Sequence, residues 1–516
     1  MKAASILNHV LGPVMRGPSS SHTAGAYHIA CIARDLLGAE PSTAVFRFDP
    51  HGSYAHTFAQ QGADKAFVMG LRARPLTDAS FFTCLEEPGL QARFDVKPIP
   101  GADHPNTVDL ELASADGRSL HLRARSIGGG EVEVTRIDGW DVLLKGTWHE
   151  VFLVAGQDTI EAHITQVTAD GLAVEAPLRQ NREGLAMALI HRAGPLPVGL
   201  ARSLTGCREA RPVYFQQLGA PRFTSTEEML VLAEAQSLSL GQMALAYEAQ
   251  RLNLAEEVVM AEMVRRYRVM KDAAERGLDP ELTGMQLLEP TAGRIMQACG
   301  EGRLAVGGLH TRAAARAMAV MHVNSAMGVV CAAPTGGSAG TLPGVVTTLA
   351  EERHLSDEEA ARLLLAAGLI GVFVSNRATF AAEVAGCQVE IGAAGAMAAS
   401  AVVEAAGGTA RQATDAAAIA FQNTMGSVCD LVQGMVEIPC HTRNALAASS
   451  AFVCADLILG GYRNPIPLDE TIDAVYAVGQ LLPPELRCTA KGGLALAPSA
   501  QQLHACGTNR MGKCRS

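Results

Sequence analysis

Lysine and aromatic side chains are scarce here, and several familiar signatures are missing. Of 516 residues only 4% are aromatic and only seven are lysine. A Schiff-base enzyme needs a well-placed lysine, and Lys65 alone lies near a candidate motif, which argues against pyridoxal-phosphate chemistry. Twelve cysteines are present without a C-x-x-C pair, which weakens zinc-ribbon and thioredoxin readings. Positive charge is also short: the formal net charge is −10, which disfavours nucleic acid or an anionic membrane as the main partner. Long apolar runs are absent too. The longest, Ile391 to Val403, has 13 residues flanked by Glu390 and Glu404, too few to span a bilayer, and is expected to be a buried helix. No secretory signal is expected in MKAASILNHVLGPVMRGPSS, which His9 and Pro13 interrupt, so the cysteines are expected in a reducing, cytoplasmic setting.

What remains is a chain of 48% apolar composition, rich in alanine and glycine in its second half. Its length suits two to four domains. An α+β organisation in three parts is expected. Residues 1–137 read as a mixed α/β domain. RGPSSSHTAGAYHIACIARDLLG is a polar loop feeding a helix, with Ser19, Ser20 and Ser21 placed to cap it. STAVFRFDPHGS is a strand ended by a turn, and HLRARSIGGGEVEVTRIDG has strand alternation broken by glycines. Residues 138–202 carry a strand and helix rhythm that resembles a small regulatory ACT-like domain. Residues 203–516 read as all-helical, opening with a capping box at Ser225 to Glu228.

Three cysteines stand in turns. Gly386 precedes Cys387, Gly426 lies just before Cys429, and Pro439 abuts Cys440. Spacing alone favours three buried structural thiols. Their glycine and proline neighbours favour convergence, and three thiolates can hold a cubane iron–sulfur cluster with one iron left open. SSSHT (19–23) offers hydroxyls, an imidazole and a helix N-terminus, which attracts carboxylates; simple helix capping is the alternative. APTGGSAGTLPG lacks the G-K-[ST] ending of a nucleotide loop, yet its backbone N–H groups, with Thr335 and Ser338, could contact a small substrate. His441 and Arg443 follow Cys440 and read either as substrate or charge partners or as solvated surface; Asn423 is a candidate of the same grade.

GPSSSHTAG (17–25), SIGGG (126–130), NSAMG (324–328), APTGGSAGTLPG (333–344), GCQVEIGAAGAMAA (386–399) and CDLVQGMVEIPCHTRNA (429–445) occur in one order. In this set and order the chain resembles the iron–sulfur-dependent L-serine dehydratases. The resemblance implies a [4Fe–4S] cluster on Cys387, Cys429 and Cys440, and conversion of serine to pyruvate and ammonia. It further implies that Ser19, Ser21, His22 and Thr23 lie at the substrate carboxylate, with His22, Asn423, His441 and Arg443 as catalytic candidates. A small amino acid as the partner and a homodimer as the assembly are implied as well. The sequence departs from the family at two notable places. Gln61 stands where a family histidine is expected, with His56 displaced by five positions, which leaves threonine, cysteine or a related amino acid as alternative substrates. Ala500 stands where many members carry a cysteine that caps the fourth iron, leaving Cys506 and Cys514 as alternatives. A non-catalytic sensor that binds an amino acid through the ACT-like part is the competing reading from another class.

Overall fold

A computed structural model describes residues 4–503. It is a mixed α/β chain with a helical C-terminal part, and it divides into two compact units: Ser21–Leu218, and the described residues of Met1–Ser20 with Gly219–Ser516.

The first unit carries two sheets. Strand Pro41–Phe48 lies between a parallel neighbour, Gln91–Val96, and an antiparallel one, Thr107–Ser114; Ser119–Gly128, Glu131–Ile137 and Trp140–Leu144 continue as an antiparallel meander. The alternating STAVFRF pattern sends Phe46 and Phe48 into the core, where both are fully buried. Helices Ala24–Leu37 and Ala63–Leu71 pack against each other. The second sheet runs strand His149–Gly156, helix Gln157–Thr168, strands Leu178–Arg182 and Leu185–Arg192, short helix Leu200–Ser203, strand Cys207–Ala210. Its first strand lies between the last and the third, and the third pairs with the second, all antiparallel. That β-α-β-β-α-β order is the ferredoxin-like arrangement.

The other unit is built from helices with small side chains. Helix Ile391–Ala405 is buried from Ile391 through Val403, as its unbroken apolar run requires. It packs on Asp357–Arg377, Ala410–Gln422 and Cys440–Leu459, while Leu309–Ser325 packs on the last of these and on Thr341–Arg353. The chain's start joins this unit through a buried carboxylate: Glu248 accepts hydrogen bonds from Ile6 N (2.8 Å), Leu7 N (2.9 Å) and Ser5 Oγ. A buried acid without such donors would be costly.

Three local expectations are corrected. The helix after SSSHT starts at Ala24, and its N-cap is Thr23 rather than a serine, with no side-chain capping bond from Thr23. Ser225 Oγ accepts from Glu228 N as expected, but the Glu228 carboxylate accepts from Thr224 N (2.7 Å), upstream of the cap. The segment after 203 is not all-helical. Cys207–Ala210 completes the second sheet, and Val329–Cys331 pairs with Val14–Arg16. Strands this short leave no periodicity to read. Among the described residues no single helix is long and apolar enough to cross a membrane.

Candidate metal centre

Backbone geometry brings the thiols together. Gly386 has φ +76°, and a Cβ there would lie 2.8 Å from Ser427 O and 2.7 Å from Leu482 Cδ1, so only glycine fits the turn that presents Cys387. Cys429 lies in an extended segment tied to a later loop by Cys429 N to Leu486 O (2.8 Å) and Cys488 N to Cys429 O (2.9 Å). Cys440 is the first residue of its helix. The three are only 1–3% exposed and share one apolar cluster with Met321, Ile391 and Leu431; Cys488 packs at its edge. Ligand atoms of Cys387, Glu390 and Cys429 all lie within 4.8 Å of one another, a group able to hold a metal ion. Cys440 stands outside that tightest triplet but interacts electrostatically with Cys387 and Glu390.

The electrostatics suit a bound cation. Hydrogen bonds with Cys387 and Cys488, and then desolvation, hold the Cys429 thiol far above its usual titration range. Burial does the same to Cys440. Such thiols stay protonated until a metal takes the proton's place. Arg443 is not a solvated surface residue: Nη1 donates to Cys387 Sγ at 3.7 Å and to Val428 O at 2.8 Å, and Nη2 pairs with Asp430 at 2.9 Å. His441 is fully buried too, its Nε2 2.9 Å from Ser325 Oγ and its ring 5.2 Å from His322; burial lowers its pKa to about 3, so it is neutral.

The glycine loop closes over this group. Thr335 Oγ1 donates to the Glu390 carboxylate, whose pKa desolvation pushes up to about 7. A Cβ on Gly337 would lie 2.7 Å from Glu390 Oε1, and one on Gly336 would lie 2.8 Å from Pro18 O. Thus Glu390 and the segment leading to Ser19 both reach the loop. Residues 336–340 fit the G-x-S-x-G spacing of a nucleophile elbow, but the buried Ser338 hydroxyl accepts from Thr335 N (3.2 Å) and donates to Ala333 O (3.2 Å), which makes it a loop lock. Asn444, one turn after Cys440, accepts from Gly340 N (3.2 Å) and Thr341 N (3.0 Å) and donates to Gly337 O (2.9 Å). The helix that carries Cys440 therefore also fixes the loop.

SSSHT straddles the division of the chain: Ser19 and Ser20 fold with the helical unit, Ser21, His22 and Thr23 with the other. There His22 Nε2 is 2.7 Å from Thr57 Oγ1, its ring stands edge-on to Tyr54 at 5.1 Å, and burial lowers its pKa to about 4. Tyr54 donates to Ser21 O at 2.9 Å. Thr23 is buried at its helix start. Asn423 ends a helix, and its Nδ2 donates to Ile419 O at 2.9 Å, a local use that does not point to the thiols. Cys506 and Cys514 lie outside the described residues. Glu390, Asn444 and Cys488 escaped the sequence reading. The first two had a signal: Glu390 falls three residues after Cys387, and Asn444 falls four after Cys440 on one helix face.

Comparison with known proteins places this arrangement. Residues 235–495, which hold all four of these cysteines, match the serine dehydratase alpha chain family. The L-serine dehydratase TdcG of Escherichia coli is 32% identical over 490 residues, covering 93% of this chain and 96% of its own. The L-serine dehydratase of Streptomyces coelicolor is 29% identical, covering 93% and 96%. The probable L-serine dehydratase alpha chain of Bacillus subtilis is 37% identical over 54% of this chain and 94% of its own. The chain belongs to the L-serine dehydratase family, in its single-chain form.

Proposed function

We propose that this protein is an L-serine ammonia-lyase that releases pyruvate and ammonia, using a [4Fe–4S] cluster bound by Cys387, Cys429 and Cys440. One observation carries the reading: three thiols from distant turns enter one buried cluster inside the region that matches the family. The donor set supports it, because soft thiolates in a mostly apolar shell suit iron–sulfur chemistry better than magnesium or calcium. When bound, the cluster supplies a Lewis acid that eases loss of the β-hydroxyl.

The chain's own residues do the rest. Arg443 sets a fixed cation against the thiolates. Thr335 and the backbone of the glycine loop hold the polar groups of the amino acid, with Ser338 fixing the loop from within and Ser19 beside it. Ser21, His22 and Thr23 are assigned to the substrate carboxylate. His22 and His441 act as neutral hydrogen-bond partners, since burial keeps both uncharged near pH 7. The net change removes a Cα proton and the β-hydroxyl; the enamine tautomerises to an imine, and water releases ammonia. The β-α-β-β-α-β order of the second sheet supports an ACT-like reading of that part.

Protein purified without oxygen is expected to be brown, to contain iron and sulfide, and to form pyruvate fastest from L-serine in a panel with threonine and cysteine. Gln61 makes that panel necessary, because it departs from the family pattern. Colourless protein with full activity would overturn the cluster, and a clear preference for another amino acid would overturn the substrate.

A further inference from the structure

A fourth thiol stands at the centre. Cys488 lies in the loop after helix Leu468–Leu481, and its sulfur is in hydrogen-bond contact with Cys429 and interacts electrostatically with Cys387. Its position is set by backbone rather than by rotamer. Cys429 pairs with Arg487 as a parallel bridge, and Cys488 N donates to Cys429 O at 2.9 Å. Arg487 anchors the loop through Nε to Leu482 O (2.8 Å) and Nη2 to Gln480 O (2.7 Å). Farther on, Leu494 N donates to Asp430 at 2.9 Å, and Asp430 also holds Arg443 beside Cys387. The same loop is therefore stitched to the centre at two points. Cys488 has φ +62° and Ala490 has φ +54°, a conformation that non-glycine residues adopt at some cost. Ala500 packs elsewhere, with Leu287 and Val432.

We infer that Cys488 is a fourth thiol donor to the group held by Cys387, Cys429 and Cys440. This rests on the cluster reading above. The other three thiols are buried, whereas Cys488 is only half-buried and sits on a loop. The serine hydroxyl needs one metal corner, so Cys488 is the donor that yields its place when substrate enters. Its sulfur–iron bond is exchanged for an oxygen–iron bond, with no change in redox state.

The test compares wild type with Cys488→Ala, both purified without oxygen. Iron and sulfide are measured first, and mild oxidation by ferricyanide is then followed by electron paramagnetic resonance. Equal iron and sulfide are expected, with the three-iron signal appearing severalfold sooner in the variant. Equal oxidation of two iron-loaded proteins overturns the fourth donor and leaves the three-cysteine cluster standing. A wild type without iron and sulfide defeats the cluster reading and this inference with it. Alkylation of wild-type protein with iodoacetamide gives a second readout that needs no variant. Cys488 should be protected in the loaded protein and labelled after chelation or on adding L-serine. Equal labelling in all three states overturns the inference.

Discussion

The two units solve the packing problem with opposite materials. In the sheet unit, Phe46 lies 4.7 Å from Phe67 and 4.8 Å from Phe94, and Phe48 lies 5.3 Å from Tyr54, ring centre to ring centre. Large rings fill space between a sheet and its helices, and each pair adds about 0.5–1.5 kcal/mol beyond burial. In the helical unit, Gly344 faces Ala313 and Ala317 across a helix pair, and a Cβ there would lie 2.6 Å from Ala313 O. Small residues let backbones approach closely, so turns from distant parts of the chain can meet. The low aromatic content belongs to this second strategy, and so does the thiol centre, which needs several turns within a few ångströms.

The contrast can be broken deliberately. The largest effect is expected from Cys429→Ala, which should abolish serine turnover and remove bound iron. Both tryptophans lie in the sheet unit, so tryptophan fluorescence should stay unchanged and show that this unit is intact. Next comes Phe67→Ala, which empties part of the ring cluster and should cost about 3–5 kcal/mol in denaturant unfolding. The mirror-image change, Gly344→Val, overfills the small-residue packing and should cost about 1–3 kcal/mol, since the facing atom is backbone and cannot swing away. A loss for Gly344→Val below that of an exposed substitution would refute the close-packing account.

A last effect appears only in acid and is read at one residue of the sheet unit. His28 is buried in the sheet unit, its Nδ1 2.9 Å from Gly130 O and its ring against Tyr214, and burial lowers its pKa to about 4. The unfolded chain binds the proton at the ordinary value near 6.5, so the His28 contribution is complete above that pH. It declines as pH falls toward 4, at about 1.4 kcal/mol per pH unit. His28→Gln should flatten the acid side of the stability profile read by tryptophan fluorescence. An unchanged slope would remove His28 from the acid response.

Much of the site was legible because its residues sit in local patterns. Cys387, Cys429 and Cys440 each follow a turn former, and the apolar run after Glu390 had to be a buried helix. Other roles depended on partners far along the chain. Ser338 reads as a hydroxyl for substrate until its bonds to Thr335 and Ala333 are seen. His441 and Arg443 leave surface solvation as an alternative until burial and the Cys387 contact decide between the readings. Cys488 carries no local mark, because what places it is a backbone pairing with Cys429.

The sequence by itself determined the elements with a strong period, the glycine turns, and the set of motifs that defines the family. Hydrophobic spacing and backbone steric limits act within a few residues, and those are the scales a sequence displays. Tertiary structure alone decided that Glu390 meets Thr335, that Asn444 holds the glycine loop, and that the chain's first residues fold with the helical unit around Glu248. Each of those is a hydrogen bond between groups separated by dozens to hundreds of positions. Burial sets its strength, and burial exists only after the chain has closed on itself.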